Sequence, residues 1–226
     1  MSCVVTLTTV PERLSHPSTR VNLQRLRDQS ECRLILNVPY VYARTGEDYV
    51  IPASISNIAG LEINRCADTG PSTKLLPTLH NPTVANDAII VVVDDDIVYK
   101  DKHVQYLLEA VQRNPNAIHG YEIEPYGLAG YAGWAARKKL IQPIVSVPMP
   151  QQCAMVDDDY WDTVAKARHI PIKVVAYEGN SSNGFSGIAT HLGTPAWFEL
   201  HKHTDRHKLS AECRLALSTI TTEKPS

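Results

Sequence analysis

The chain has 226 residues, a formal net charge of −2, 43% hydrophobic residues and 20% charged ones. That size and balance suit one globular domain with a large core, and they supply no whole-molecule charge for gripping nucleic acid or a membrane surface. No stretch approaches the roughly 20 apolar residues of a bilayer span, and the start, Met1-Ser2-Cys3-Val4-Val5, lacks the basic region and apolar run of a secretory signal.

Five cysteines (Cys3, Cys32, Cys66, Cys153 and Cys213) are odd in number and scattered. Their spacing predicts free thiols in a reducing, cytoplasmic setting, with neither a zinc site nor a disulfide framework. Residues 1–220 are expected to form a single domain. Residues 221–226 (Thr-Thr-Glu-Lys-Pro-Ser) read as a tail or linker, as in one part of a longer polypeptide.

In chain order, Cys3 to Val10 is rich in Val and Thr and predicts a first strand, stopped by Pro11, with Thr8 to Arg13 as the loop at its C-terminal end. Ser18 or Thr19 is placed to cap a helix to about Gln29, with Val21, Leu23 and Leu26 available to face inward. Arg33 to Val38 is a second strand, Pro39 to Ile58 an irregular excursion, and Leu61 to Cys66 a short third strand. Asp68-Thr69-Gly70-Pro71 turns into a helix carrying Leu75, Leu76 and Leu79, with Ser72 as the expected N-cap.

Ala88 to Val93 is an unbroken apolar run dominated by Ile and Val, the pattern of a strand buried on both faces. Lys102 to Arg113 then sets Val104, Leu107, Leu108 and Val111 on one face of an amphipathic helix. Ala117 to Ile123 predicts another strand, Gly127 to Gly133 a flexible loop, and Leu140 to Val147 a further strand. Asp157 opens a helix to about His169, Ile172 to Tyr177 is a strand, Gly179 to Gly187 is a polar segment, and Leu209 to Ile220 is a closing helix. Strands alternating with helices argue an α/β fold around a largely parallel sheet.

The chemistry concentrates at the end of the apolar run. Asp94, Asp95 and Asp96 stand together at its C-terminal end, where open α/β sheets bind ligands. Three like charges repel unless a cation sits among them, and hard carboxylate oxygens suit Mg²⁺ or Mn²⁺. A metal held there would bridge a substrate diphosphate and neutralise the departing group. Lys74 adds a positive charge near a helix start, although its segment lacks the glycine pattern of a P-loop.

A second acidic cluster, Asp157-Asp158-Asp159, satisfies two readings. Acids complement a helix N-terminus, and a carboxylate facing a metal–diphosphate suits deprotonation of an acceptor hydroxyl. His191, His201, His203 and His207 lie among basic residues. One of them can complete a metal shell, while a solvated basic segment is the commoner arrangement. Tyr126, Tyr131 and Trp134 are candidates for stacking on a sugar face or for the core.

Three segments together, Thr8-Thr9-Val10-Pro11-Glu12-Arg13, Gly70-Pro71-Ser72-Thr73-Lys74-Leu75-Leu76-Pro77 and Val93-Asp94-Asp95-Asp96-Ile97-Val98-Tyr99, resemble small GT-A-fold glycosyltransferases. The resemblance is strongest to the compact nucleotide-sugar transferase domains of large chlorella-type algal viruses. It covers most of the chain, is tight from Asp68 to Tyr99 and is looser after Gly120.

The resemblance implies a GT-A, Rossmann-like, mixed and mostly parallel sheet flanked by helices. It implies Mn²⁺ or Mg²⁺ at Asp94 and Asp96, with Asp95 adjacent, and a nucleotide pocket lined by Thr9, Arg13, Asp68 and Lys74. It also matches Asp158-Asp159-Tyr160-Trp161 to an Asp-Asp-Ile-Trp-like acceptor-side motif, tyrosine replacing the third residue, so that Asp158 or Asp159 is the catalytic candidate.

The function these readings imply is transfer of a sugar from a nucleoside diphosphate sugar, expected to be a UDP-sugar, to a hydroxyl of a glycan or glycoprotein. Neither nucleic acid nor a membrane span is expected, and the setting would be the host cytoplasm if the source is viral. A nucleotidyltransferase of similar fold and a non-catalytic nucleotide- or glycan-binding module are the alternatives. The first would more usually carry a glycine-rich loop after strand one, and Thr8-Thr9-Val10-Pro11 is not one.

Overall fold

Alternation along the first strand sets up the layers. In β1 (Cys3–Thr8), Val5 and Leu7 face one core and Val4 faces the other, as in a strand covered on both sides. The structure, a computed structural model, describes residues 2–121, 123–124, 127–175, 189–191 and 205–221.

After β1 come α1 (Pro11–Leu14), α2 (Pro17–Asp28), β2 (Arg33–Pro39), α3 (Ala53–Ser56), β3 (Leu61–Cys66), α4 (Leu76–His80) and β4 (Ile89–Val92). Next are β5 (Ile97–Tyr99), α5 (His103–Arg113), β6 (Ile118–Gly120), a small pair β7 (Ile123–Glu124) and β8 (Gly127–Leu128), and β9 (Trp134–Arg137). The described chain continues through α6 (Lys138–Val145), α7 (Asp157–Ala167), β10 (Ile172–Val174), β11 (Ala189–His191) and α8 (Arg206–Thr221).

Seven strands form one sheet in the order β10-β6-β9-β4-β1-β2-β3. Neighbours are parallel except at β9, which runs antiparallel to both β4 and β6. This is the mixed, mostly parallel, Rossmann-like sheet expected from the sequence, with helices on both faces. Leu23 and Leu26 of α2 and Val104, Leu107 and Val111 of α5 fill one core. Leu79 of α4, Ile141 and Ile144 of α6, and Trp161 and Val164 of α7 fill the other. Every residue of β4 is buried, so the aspartates that follow emerge from the most protected strand of the sheet.

Several expectations are corrected. Leu140 to Val147 is not a strand: most of it belongs to α6, whose buried Ile141 and Ile144 are three apart, a helical spacing. The strand lies just before it, at Trp134–Arg137, where two alanines gave no β signal. Ser72 makes no capping bond to the 3-10 turn Ser72–Lys74. The cap of α2 is His16, whose Nδ1 accepts from the Ser18 amide, and Val21 is 52% exposed instead of facing inward.

The cysteines also depart from expectation. Cys3 bonds to Cys32 and Cys153 to Cys213, leaving Cys66 as the free thiol. Linear spacing hid this, because parallel β1 and β2 bring Cys3 beside Cys32 across 29 residues, and α8 packs against the 3-10 turn Gln151–Cys153. Two paired disulfides do not fit the free thiols expected of a reducing compartment. No helix among the described residues is long and apolar enough to cross a membrane. Tyr126, His201, His203, Gly179 to Gly187 and the tail beyond Thr221 lie outside the described residues.

Candidate functional site

A cavity of about 970 Å³ opens at the C-terminal ends of β1 and β4. Its first wall is the aspartate loop between β4 and β5. Buried Asn22 of α2 donates from Nδ2 to the carbonyls of both Asp95 and Ile97, at 2.9 Å each. On the other side, the Tyr99 hydroxyl accepts from the Asp94 amide at 2.9 Å and donates to the Tyr131 carbonyl at 3.0 Å. With its backbone tied at both ends, the loop presents its carboxylates in fixed directions.

Arg13 reaches this loop from α1, the short helix that Pro11 opens after β1. It pairs with Asp95 at 3.1 Å and donates to Asp96 at 2.5 Å. Burial works against the Arg13 charge, yet Asp95 and Asp96 raise its proton affinity further. Asp95 feels the opposite balance: burial raises its carboxyl to about 7 despite Arg13, and its Oδ2 is buried without a hydrogen-bond partner.

The second wall is the first turn of α7, joined to the first by Lys74. The Lys74 carbonyl accepts from Thr6 Oγ1 at 2.6 Å and from Asn37 Nδ2 at 3.2 Å, and Thr78 bonds to both of those side chains. This buried polar knot fixes the lysine backbone beneath the cavity. Its ammonium lies 3.1 Å from Asp94, 3.5 Å from Asp157 and 3.6 Å from Asp158. Burial alone would push the ammonium down, but Asp157, Asp158 and Asp94 more than offset that and hold it well above the ordinary lysine range.

Asp158 is raised to about 7, chiefly by burial and against the pull of Lys74, and Arg206 of α8 approaches it at 3.7 Å. Asp159, one residue on, points elsewhere. Its Oδ2 accepts from Ser210 Oγ at 2.7 Å and its Oδ1 lies 3.4 Å from Arg214.

Of the candidates named from sequence, Thr9, Arg13, Asp68, Lys74, Asp94, Asp95, Asp96 and Asp158 all line the cavity, and Asp159 does not. Asp68 spends its carboxylate on backbone amides, accepting from Gly70 at 2.8 Å and Ala43 at 2.9 Å, so it shapes the turn at the cavity edge. Tyr131 lines the cavity, whereas Trp134 is buried in the core. His207 sits on α8. Sequence reading missed Asn22, Asn37, Thr78 and Tyr99, because their role is to pin a distant backbone and no local pattern marks that. It also missed the convergence of Asp157 with Asp158 on Lys74.

The lining holds six carboxylates (Asp68, Asp94, Asp95, Asp96, Asp157 and Asp158) against four cations (Arg13, Arg44, Lys74 and Arg206). With all six carboxyls ionised the lining carries two excess negative charges against an anionic diphosphate, which a divalent cation would cancel. Hard oxygens on Asp94 and Asp96 suit Mg²⁺ or Mn²⁺. Backbone pairing of β11 with β5 sets His191 opposite Ile97, next to Asp96. Among the described residues no three His, Cys, Asp or Glu side chains form a ready metal cage.

No protein-family model matches the sequence, and no curated protein matches it. Solved structures do match in fold. A 4-diphosphocytidyl-2C-methyl-D-erythritol synthase superposes with a TM-score of 0.58 at 8% identity, over 88% of this chain and 97% of that one. A cytidylyltransferase from Leptospira borgpetersenii gives 0.59 at 12% identity, over 100% of this chain and 98% of that one. S. aureus TarS, a glycosyltransferase, gives 0.56 at 11% identity, over 92% of this chain and 41% of that one. At such identities the similarity is one of fold: a Rossmann-like, GT-A-like sheet that carries both nucleotidyl and glycosyl transfer in its other bearers.

Proposed function

We propose that the chain is a metal-assisted glycosyltransferase that moves a sugar from a nucleoside diphosphate sugar, a UDP-sugar, to a glycan hydroxyl. Asp94 and Asp96 would hold Mn²⁺ or Mg²⁺, which when bound neutralises charge on the diphosphate. Thr9, Arg13, Asp68 and Lys74 line the nucleotide end. Asp158 takes the proton of the acceptor hydroxyl, whose oxygen bonds to the anomeric carbon. The bond from that carbon to the diphosphate oxygen breaks, and UDP leaves with the electron pair.

The observation that carries this reading is Asp158, a carboxyl with 13% of its side chain exposed to the cavity, raised to about 7 and lying across Lys74 from Asp94. A sugar hydroxyl is a neutral nucleophile and needs a base whose proton affinity is near the working pH. The rival reading, nucleotidyl transfer, is favoured by the cytidylyltransferase that matches over nearly the whole of both chains. When that chemistry builds a diphosphate, however, its nucleophile is a phosphate that is already anionic. It needs no base.

The test is release of UDP from UDP-glucose, UDP-galactose and UDP-xylose, with and without Mn²⁺ or Mg²⁺, run beside release of pyrophosphate from CTP and a sugar phosphate. Metal-dependent UDP release is expected. Pyrophosphate release without UDP release would transfer the assignment to nucleotidyl transfer, and neither product from any donor would remove the enzyme reading.

A further inference from the structure

One glycine in the second half of the chain is required by space and not by backbone conformation. Gly130 opens a buried 3-10 turn, Gly130–Ala132. It is not among the positive-φ glycines, unlike Gly133 three residues later, so its backbone would accept an L side chain. Asp158 is what excludes one. A Cβ built on Gly130 would stand 2.6 Å from Asp158 Cγ and 2.7 Å from its Oδ2, closer than real Cβ atoms approach anything. The carboxylate therefore lies directly against the bare Cα.

The same turn also supports the other acidic group. The next residue, Tyr131, accepts the Tyr99 hydroxyl bond through its carbonyl, and that hydroxyl holds the Asp94 amide. Two adjacent residues thus lie against Asp158 and, through Tyr99, fix Asp94.

We infer that Gly130 is a positioning residue: its missing side chain seats the Asp158 carboxylate at the cavity wall, and the turn it opens sets the gap between Asp158 and Asp94. The inference rests on the reading of Asp158 as the acceptor-side base. Lys74, Asp157, Asp94 and Arg206 are the charged groups acting on that carboxyl. They attract or repel it, and Gly130 supplies the steric backstop against which they hold it. Any side chain there drives the carboxylate off its seat, and displacements of about an ångström cost roughly a hundredfold in rate at a reacting centre.

The test is a double-mutant cycle with two independent readouts. Gly130→Ala should lower UDP release from the active UDP-sugar about a hundredfold while leaving the KM for that donor within about twofold. It should also lower the melting temperature by about 5 °C, as overpacking does. In an Asp158→Ala chain the clash partner is gone, so adding Gly130→Ala should change neither melting temperature nor residual turnover. Equal effects of Gly130→Ala in both backgrounds, or full turnover with unchanged melting in the single variant, would overturn the inference. If the single variant fails to fold, the double variant decides: melting like Asp158→Ala supports the seat, and failure to fold rejects it. If Asp158→Ala keeps full turnover while the melting cycle still couples, the base assignment falls and the steric seat stands.

Discussion

The chain carries two runs of three aspartates, and identical sequence has been put to different uses by the elements beneath it. Asp94 to Asp96 follow a buried strand and lie in a loop pinned by Asn22 and Tyr99, so all three line one cavity, Asp94 facing Lys74 and the other two facing Arg13. Asp157 to Asp159 open a helix, where successive side chains diverge by about 100°. Two of them reach Lys74 and the third turns outward to Ser210 and Arg214 on α8. A pinned loop gathers neighbouring acids, whereas a helix divides them between a site and a packing interface.

The largest effect expected from this division is at Asp158. Asp158→Asn keeps the shape of the side chain but cannot accept a proton, and should lower turnover by about 10²- to 10⁴-fold with donor affinity retained. In the parent enzyme turnover should rise with pH through about 7, as burial delays loss of the Asp158 proton. The variant's residual rate should lack that limb. Steady-state kinetics between pH 5 and 9 would check both, and a wild-type pH limb surviving in Asp158→Asn would place the titrating group elsewhere.

How much of this was legible beforehand follows the range of the interactions. Strand and helix periods, and the mutual repulsion of three carboxylates, are local properties, so the first four sheet strands and the Asp94 to Asp96 loop could be read directly. Lys74 was visible as a charge but not as a junction, because Thr6 and Asn37 fix its carbonyl from two strands while Thr78 of α4 bonds to both of their side chains. Gly130 looked like loop flexibility, since nothing near it in sequence announces a carboxylate 28 residues later. The two disulfides were hidden for the same reason. Partners across 29 and 60 residues are set by topology, which spacing does not encode.

A smaller effect sharpens the contrast from the side of the first run. Behind Asp94, His103 stacks between Tyr99 and Tyr121, with ring centroids 4.3 and 4.2 Å apart, and burial lowers its pKa to about 3. The unfolded chain binds that proton near pH 6.5 and the folded chain does not. Its stabilisation is therefore present above about 6.5 and is lost as pH falls toward 3, at about 1.4 kcal/mol per pH unit. Asp95 and Asp158, raised to about 7, act in the opposite sense: their contribution is present below the ordinary carboxylate range and fades as pH rises through about 7. His103→Phe keeps the stack and removes only the first contribution. Denaturant unfolding should show the variant gaining on the parent by about 2 kcal/mol between pH 6.5 and pH 5, and parallel curves would count against a neutral buried His103.

The smallest effect concerns the aspartate that the helix turns away. Asp159 sits at the start of α7 with its carboxylate on Ser210 and Arg214, so removing it should loosen α8 and leave the chemistry alone. The hydrogen bond to Ser210 is buried, and the partner Arg214 is partly exposed, which limits what the charge contributes. Asp159→Ala should lower unfolding free energy by about 1–2 kcal/mol, read as a shifted denaturant midpoint at constant slope. Turnover per folded molecule should stay within about twofold of the parent. Asp158→Asn makes the opposite trade, losing rate per folded molecule. A hundredfold loss of turnover in Asp159→Ala would reverse the two roles, because it would mean that α7 presents its third carboxylate, and not its second, to the acceptor.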